Sequence, residues 1–177
     1  MRFRLFGALA VASLIAAPVA DASAPDFCSG LGTDWDGLYC HTSVPSERKA
    51  VRDIKVAVPG DLIDNPVTGP TIRDYLTQLV NNWRSVGVHM VADSFGEENF
   101  QVLTRGDVLT VVFHEDYHAD GPNFNNAFRT FTWDMARGVR LGLADVLKPG
   151  TDFGAIAALG QPFIEDALAA PDSARPR

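Results

Sequence analysis

Residues 107–117 read DVLTVVFHEDY, and His118 follows. Two structures compete for this stretch. His114-Glu115-Asp116-Tyr117-His118 is a literal H-E-x-x-H. On a helix that spacing brings two imidazoles to one face, where they bind zinc and leave the glutamate as general base. The residues leading into the motif are β-branched, however, and Gly121-Pro122 come directly after it. The next ligand position of the extended motif falls on Phe124. In a strand, His114 and His118 stand about 13 Å apart at roughly 3.3 Å per residue, too far for one ion. The segment therefore reads as a strand, with no metal and no cofactor expected. His114, Glu115 and His118 form the lesser, metal-binding alternative.

The rest of the chain follows from that strand. Arg105-Gly106 makes the turn before it, and a loop over 119–126 leads to a second strand-like run at 127–134, AFRTFTWD. Residues 88–95, VHMVADSF, form another run, and short connections between such runs indicate antiparallel neighbours. Upstream, residues 54–58, IKVAV, read as a strand stopped by Pro59-Gly60. Pro70 then opens a helix. Its stripe of Ile72, Leu76, Leu79, Val80 and Trp83 has helical spacing, and Gly87 ends it. Residues 141–147 form one more short element, broken by Lys148-Pro149-Gly150. Asp152 caps a last helix whose stripe of Phe153, Ile156, Ala157, Phe163, Ile164 and Ala167 is expected to pack on the sheet. Pro162 should kink or split that helix. The fold class is α+β, an antiparallel sheet flanked by two helices. It occupies residues 53–168 as one domain, with a disordered tail at 169–177.

The N-terminus states an address. Arg2 and Arg4 precede 13 apolar or small residues at 5–17, and Ala20-Asp21-Ala22 suits cleavage. Residues 1–22 read as a signal peptide, which makes the protein secreted. Cleavage removes Arg2, Arg4 and Asp21. The 177-residue chain of charge −7 becomes one of 155 residues with 13 basic and 21 acidic groups, charge −8. That balance argues against nucleic acid and against an anionic membrane surface as partners. In an exported chain, Cys28 and Cys40 read as a disulfide closing a loop region at 23–52, with two free thiols as the alternative.

This order of parts resembles the mycobacterial secreted immunogenic antigens. It is also similar to the extracellular domain, of uncertain biochemical function, found in lysozyme-sensing anti-sigma factors and some peptidoglycan deacetylases. The residues that carry the resemblance are Cys28 and Cys40, the helix Thr71–Trp83, Phe131-Thr132-Trp133-Asp134, the stretch Leu141-x-Leu143-x-Asp145-x-Leu147, and Pro149-Gly150. The resemblance implies a His near Asn123, where this sequence has none. It also implies further strands after the last helix, which this sequence does not contain; an unpaired sheet edge would follow. It offers an extracellular protein or envelope component as partner, a basic protein such as lysozyme being one choice. An edge-strand homodimer is another.

Other chemistry is thinner. Some proteins of the resembling family are esterases, but no Ser here lies in Gly-x-Ser-x-Gly; Ser94, with Ala92 before it and Gly96 after, comes nearest. Glu97-Glu98 and Glu115-Asp116 are sequence neighbours, which a strand turns to opposite faces, so neither pair makes a glycosidase dyad. Trp83 and Trp133 read as core. Trp35, in the polar disulfide loop, is the aromatic expected to contact a ligand. The leading expectation is a secreted, non-enzymatic binding or envelope-associated protein. The rival is a secreted esterase or glycan-acting hydrolase.

Overall fold

The computed structural model describes residues 23–118 and 124–169. The expected signal peptide at 1–22, the position of Asn123 and the tail beyond Ala169 lie outside them. In chain order the elements are α1 (Ala24–Gly30), β1 (Asp34–Trp35), β2 (Tyr39–Pro45), β3 (Val51–Ala57), α2 (Gly60–Ile63), α3 (Gly69–Gly87), β4 (Ser94–Arg105), β5 (Val108–His118), β6 (Phe124–Asp134), β7 (Val139–Leu141), α4 (Leu143–Val146) and α5 (Phe153–Ala169). The seven strands form one sheet in sequential order. All neighbours are antiparallel except β3 and β4, which run parallel. A parallel pair needs a crossover, and α3 supplies it. The class is α+β, as expected, with this one parallel step in the sheet.

Helix α3 forms for the reason its sequence gives. Ile72, Leu76, Leu79, Val80 and Trp83 are buried along one stripe. They meet Ile54 and Val56 of β3 and Val111, Phe113 and Trp133 of the later strands in one core. Gly96 of β4 makes room for the helix. A Cβ there would lie 2.7 Å from the Trp83 ring, so any other residue would push the helix away. The opposite face of the sheet is polar, carrying His41, Asp53, Lys55, Glu97 and Asp116 in partly exposed positions.

Several expectations are corrected. Residues 88–93 are not part of a strand. Val88, His89 and Met90 turn off the helix end through backbone bonds to Arg84, Val86 and Gly87, and β4 starts only at Ser94. The 23–52 region is not merely a loop. It holds α1, β1 and β2, and the Cys28–Cys40 disulfide clamps α1 to β2 with both cysteines fully buried. The last helix forms through Pro162 without splitting, but its stripe is not packed on the sheet. Phe153, Phe163 and Ile164 are 51%, 76% and 60% exposed. Residues 141–147 divide between the end of β7 and α4.

At the far edge, β7 covers only Thr132–Asp134 of β6. From Phe124 to Phe131 the outer side of β6 has no strand partner among the described residues. No described helix is long and apolar enough to cross a membrane.

Candidate functional site

The period of two in the strands decides which side chains can meet. Pairing sets Val56, Glu98, Glu115 and Ala127 in one row across β3 to β6, and Ile54, Gly96, Tyr117 and Asn125 in the next. Arg52 pairs with Ser94 one row further. These rows face α3. On the helix, Tyr75, Gln78, Leu79, Asn82, Trp83 and Val86 recur at three- and four-residue spacing and so share a flank beside the core stripe. Between this flank and the sheet lies a cleft of about 560 Å³. Arg52, Glu115, Tyr117, His118 and Arg129 complete its lining.

Two carboxyl groups sit under the cleft as cross-strand neighbours. Directly opposite residues have Cβ atoms roughly 4.5–5.5 Å apart, so Glu98 and Glu115 feel each other's charge. Glu98 is fully buried, and neither carboxyl oxygen has a hydrogen-bond partner of good geometry among the described residues. Burial, then the Glu115 charge, pushes its carboxyl well above the ordinary range, with only the Ala57 backbone N–H acting the other way. Glu98 is thus held neutral. Glu115 is nearly buried but served: the Tyr75 hydroxyl donates to it at 3.1 Å, and Arg129 Nε lies 3.5 Å from the same oxygen. Burial and the two glutamates push the Tyr75 phenol upward, so it remains a donor.

Arg52 stands at the floor. Its side chain is fully buried, and Nη1 donates to the His118 backbone carbonyl at 2.7 Å. Nε and Nη2 have no partner among the described residues. Burial pulls the guanidinium below its ordinary value. The Ser94 hydroxyl beside it is also buried and has no hydrogen-bond partner among the described residues.

The residues singled out in the sequence fall in different places. Segment 108–118 is a strand, so Glu115 faces the helix while His114 and His118 face the other way. His114 stacks on Phe128 with ring centroids 4.5 Å apart, and His118 meets the Phe95 ring edge-on at 4.8 Å. The three groups of the zinc motif do not converge, and no metal-binding cluster occurs among the described residues. Among the described residues the Ser94 hydroxyl has no hydrogen-bonded imidazole to activate it. Trp35 is half-buried in β1 against the core and outside the cleft. The cross-strand Glu98–Glu115 pair and the buried Arg52 were missed. A charged residue at an inward position of a strand is the signal for each, but it becomes readable only once the register is known.

No curated protein matches the chain. A profile of mannan-binding proteins matches residues 17–54, which includes α1, the disulfide, β1 and β2. A DUF3298 family protein from Pseudomonas aeruginosa PAO1 is similar in structure, with a TM-score of 0.50 and 13% sequence identity. The match covers 74% of this chain and 64% of that one. A member of the same family from Bacteroides fragilis aligns over 87% of this chain and 73% of its own, with a TM-score of 0.44 and 11% identity. At such identities the likeness is one of fold. This chain spans 64% of the length of the Pseudomonas protein.

Proposed function

We propose that this chain is an exported, non-enzymatic binding protein of the antigen-like extracellular class, taking a component of the cell envelope in the cleft between α3 and the sheet. The observation that carries this reading is the mismatch between the cleft and any catalytic set. It is roomy, with polar and apolar walls, and within the usual size range of ligand sites. Yet the neutral acid Glu98 is sealed beneath it, the buried Ser94 hydroxyl has no hydrogen-bonded base among the described residues, His114 stacks on Phe128, and the His118 Nδ1 accepts from the Phe95 backbone N–H. A general acid must reach the proton's acceptor, and Glu98 does not. Export is supported by the signal-like N-terminus and by a disulfide, which persists in oxidising compartments. The similarity of residues 17–54 to mannan-binding proteins adds glycans to the ligand classes worth testing. The acidic balance favours encounter with a basic partner such as lysozyme through the outer surface.

A glycan hydrolase is the second reading, favoured by one feature: Glu98 and Glu115 are paired carboxyls beside a cleft, and burial holds the Glu98 carboxyl well above its ordinary range. One set of experiments separates the two. The purified chain is co-sedimented with insoluble peptidoglycan and with mannan, titrated calorimetrically with lysozyme at low and high salt, and assayed for sugar release and ester cleavage. Saturable binding that Asn82→Ala weakens, without turnover, is the expected result. Turnover lost in Glu98→Gln would establish the hydrolase instead. Failure to bind any of the three would overturn the proposal.

A further inference from the structure

The charge inside the cleft runs against the charge of the chain. The protein carries a net −7, but the cleft is lined by two guanidiniums, Arg52 and Arg129, and one carboxyl group, Glu115. Glu115 is already matched by Tyr75 and Arg129. Arg52 is not matched. One of its nitrogens holds the His118 carbonyl, and the fork formed by Nε and Nη2 has no partner among the described residues. A buried cation without a counter-charge is costly, and folded proteins keep one only where something compensates it. An anionic group entering through the cleft would compensate it. An arginine fork presents two parallel N–H groups, the geometry that a carboxylate accepts in a bidentate fashion. Ser94 adds a hydroxyl beside it.

The remaining walls describe the rest of the ligand. Gln78 and Asn82 offer amides, Tyr75 and Tyr117 hydroxyls, and Leu79 and Val86 an apolar side. Side-chain amides and hydroxyls beside a short apolar wall suit a polyhydroxylated ring. We infer that the cleft selects an acidic saccharide, its carboxylate held by the Arg52 fork at the floor and its hydroxyls by the α3 amides. The inference rests on the proposed binding role and names the ligand class. Nε and Nη2 are shut off from bulk water, so the carboxylate reaches them by a small turn of the guanidinium toward the cleft.

The test uses matched probes. Calorimetric titration of the full chain compares cellobiouronic acid with cellobiose, which differ by a carboxylate in place of a hydroxymethyl group. Sodium acetate and inorganic phosphate serve as anions without a sugar. The acidic disaccharide should bind at least tenfold more tightly than the neutral one and more tightly than either simple anion, and the preference should shrink as salt rises. Arg52→Lys keeps the charge and removes the fork, and should cut the preference about tenfold. Circular dichroism checks its folding, and Asn82→Ala, on the helix surface, provides a second variant that should weaken both sugars alike. Equal affinity for the two disaccharides, or an unchanged preference in a folded Arg52→Lys, overturns the ligand class while leaving the binding role standing. Phosphate binding as tightly as the acidic sugar shows an anion site without sugar selectivity and also overturns it. If neither sugar nor anion binds and peptidoglycan, mannan and lysozyme fail as well, the binding role falls with it.

Discussion

Replacing Glu98 by glutamine should change how stability depends on pH, in a direction fixed by the structure. Glu98 is fully buried, faces Glu115 across the strand pair, and has its folded-state carboxyl raised well above the ordinary value near 4.5. The folded protein therefore holds a proton that the unfolded chain releases. Stability from this group is fully present below the unfolded value and is lost as pH rises toward and through the folded one. Across that window the loss is about 1.4 kcal/mol per pH unit. In a chain of this size it corresponds to roughly 3–5 °C of melting temperature per unit. Glutamine has nearly the same shape and no charge. Urea denaturation of both proteins from pH 4.5 upward should show the wild type losing stability relative to Glu98→Gln by about that slope, then running parallel once Glu98 ionises in the folded state. Glu115→Gln should narrow the window, because it removes the like charge. Parallel stability curves for wild type and Glu98→Gln at all pH values would refute the assignment of a buried neutral carboxyl.

Two further outcomes are expected. Replacing both Cys28 and Cys40 by alanine opens a loop of 12 residues' separation; the chain-entropy estimate of about 3 kcal/mol converts to a fall of roughly 6–12 °C in melting temperature, measured by scanning calorimetry, and an unchanged transition would show that the clamp is idle. The outer side of β6, which lacks a strand partner over residues 124–131 among the described residues, should support edge-to-edge dimers, seen as a concentration-dependent rise in sedimentation coefficient. Phe128→Lys, which places a charge at a 62%-exposed position on that strand, should return the chain to monomer, whereas a wild type that is monomeric at all concentrations would show that the edge is not used.

Periodicity determined what depends on one element at a time. The helix ending at Gly87 was legible because five apolar residues recur at helical spacing, and burial of that stripe is what makes the helix stable. Strand β5 was legible because its β-branched run outweighs a five-residue motif, and the same reading separates the imidazoles of His114 and His118 from Glu115. The disulfide was legible from two cysteines in a chain with a signal-like N-terminus. Strand β4 was hidden for a physical reason that also concerns the site. Its inward positions at the start are Ser94, Gly96 and Glu98, so the alternation that announces a half-buried strand is absent where the strand borders the cleft. The last helix shows the reverse: an apolar stripe proves that a helix can form, not that a partner surface lies beside it, and Phe163 remains in solvent. The cleft belongs wholly to tertiary structure. Glu98 and Glu115 are 17 positions apart in the sequence, and Arg52 and Ser94 lie on opposite sides of the crossover helix. Only the register of β3, β4 and β5 brings them to one face, and a slip of one residue would turn each of them to the other side.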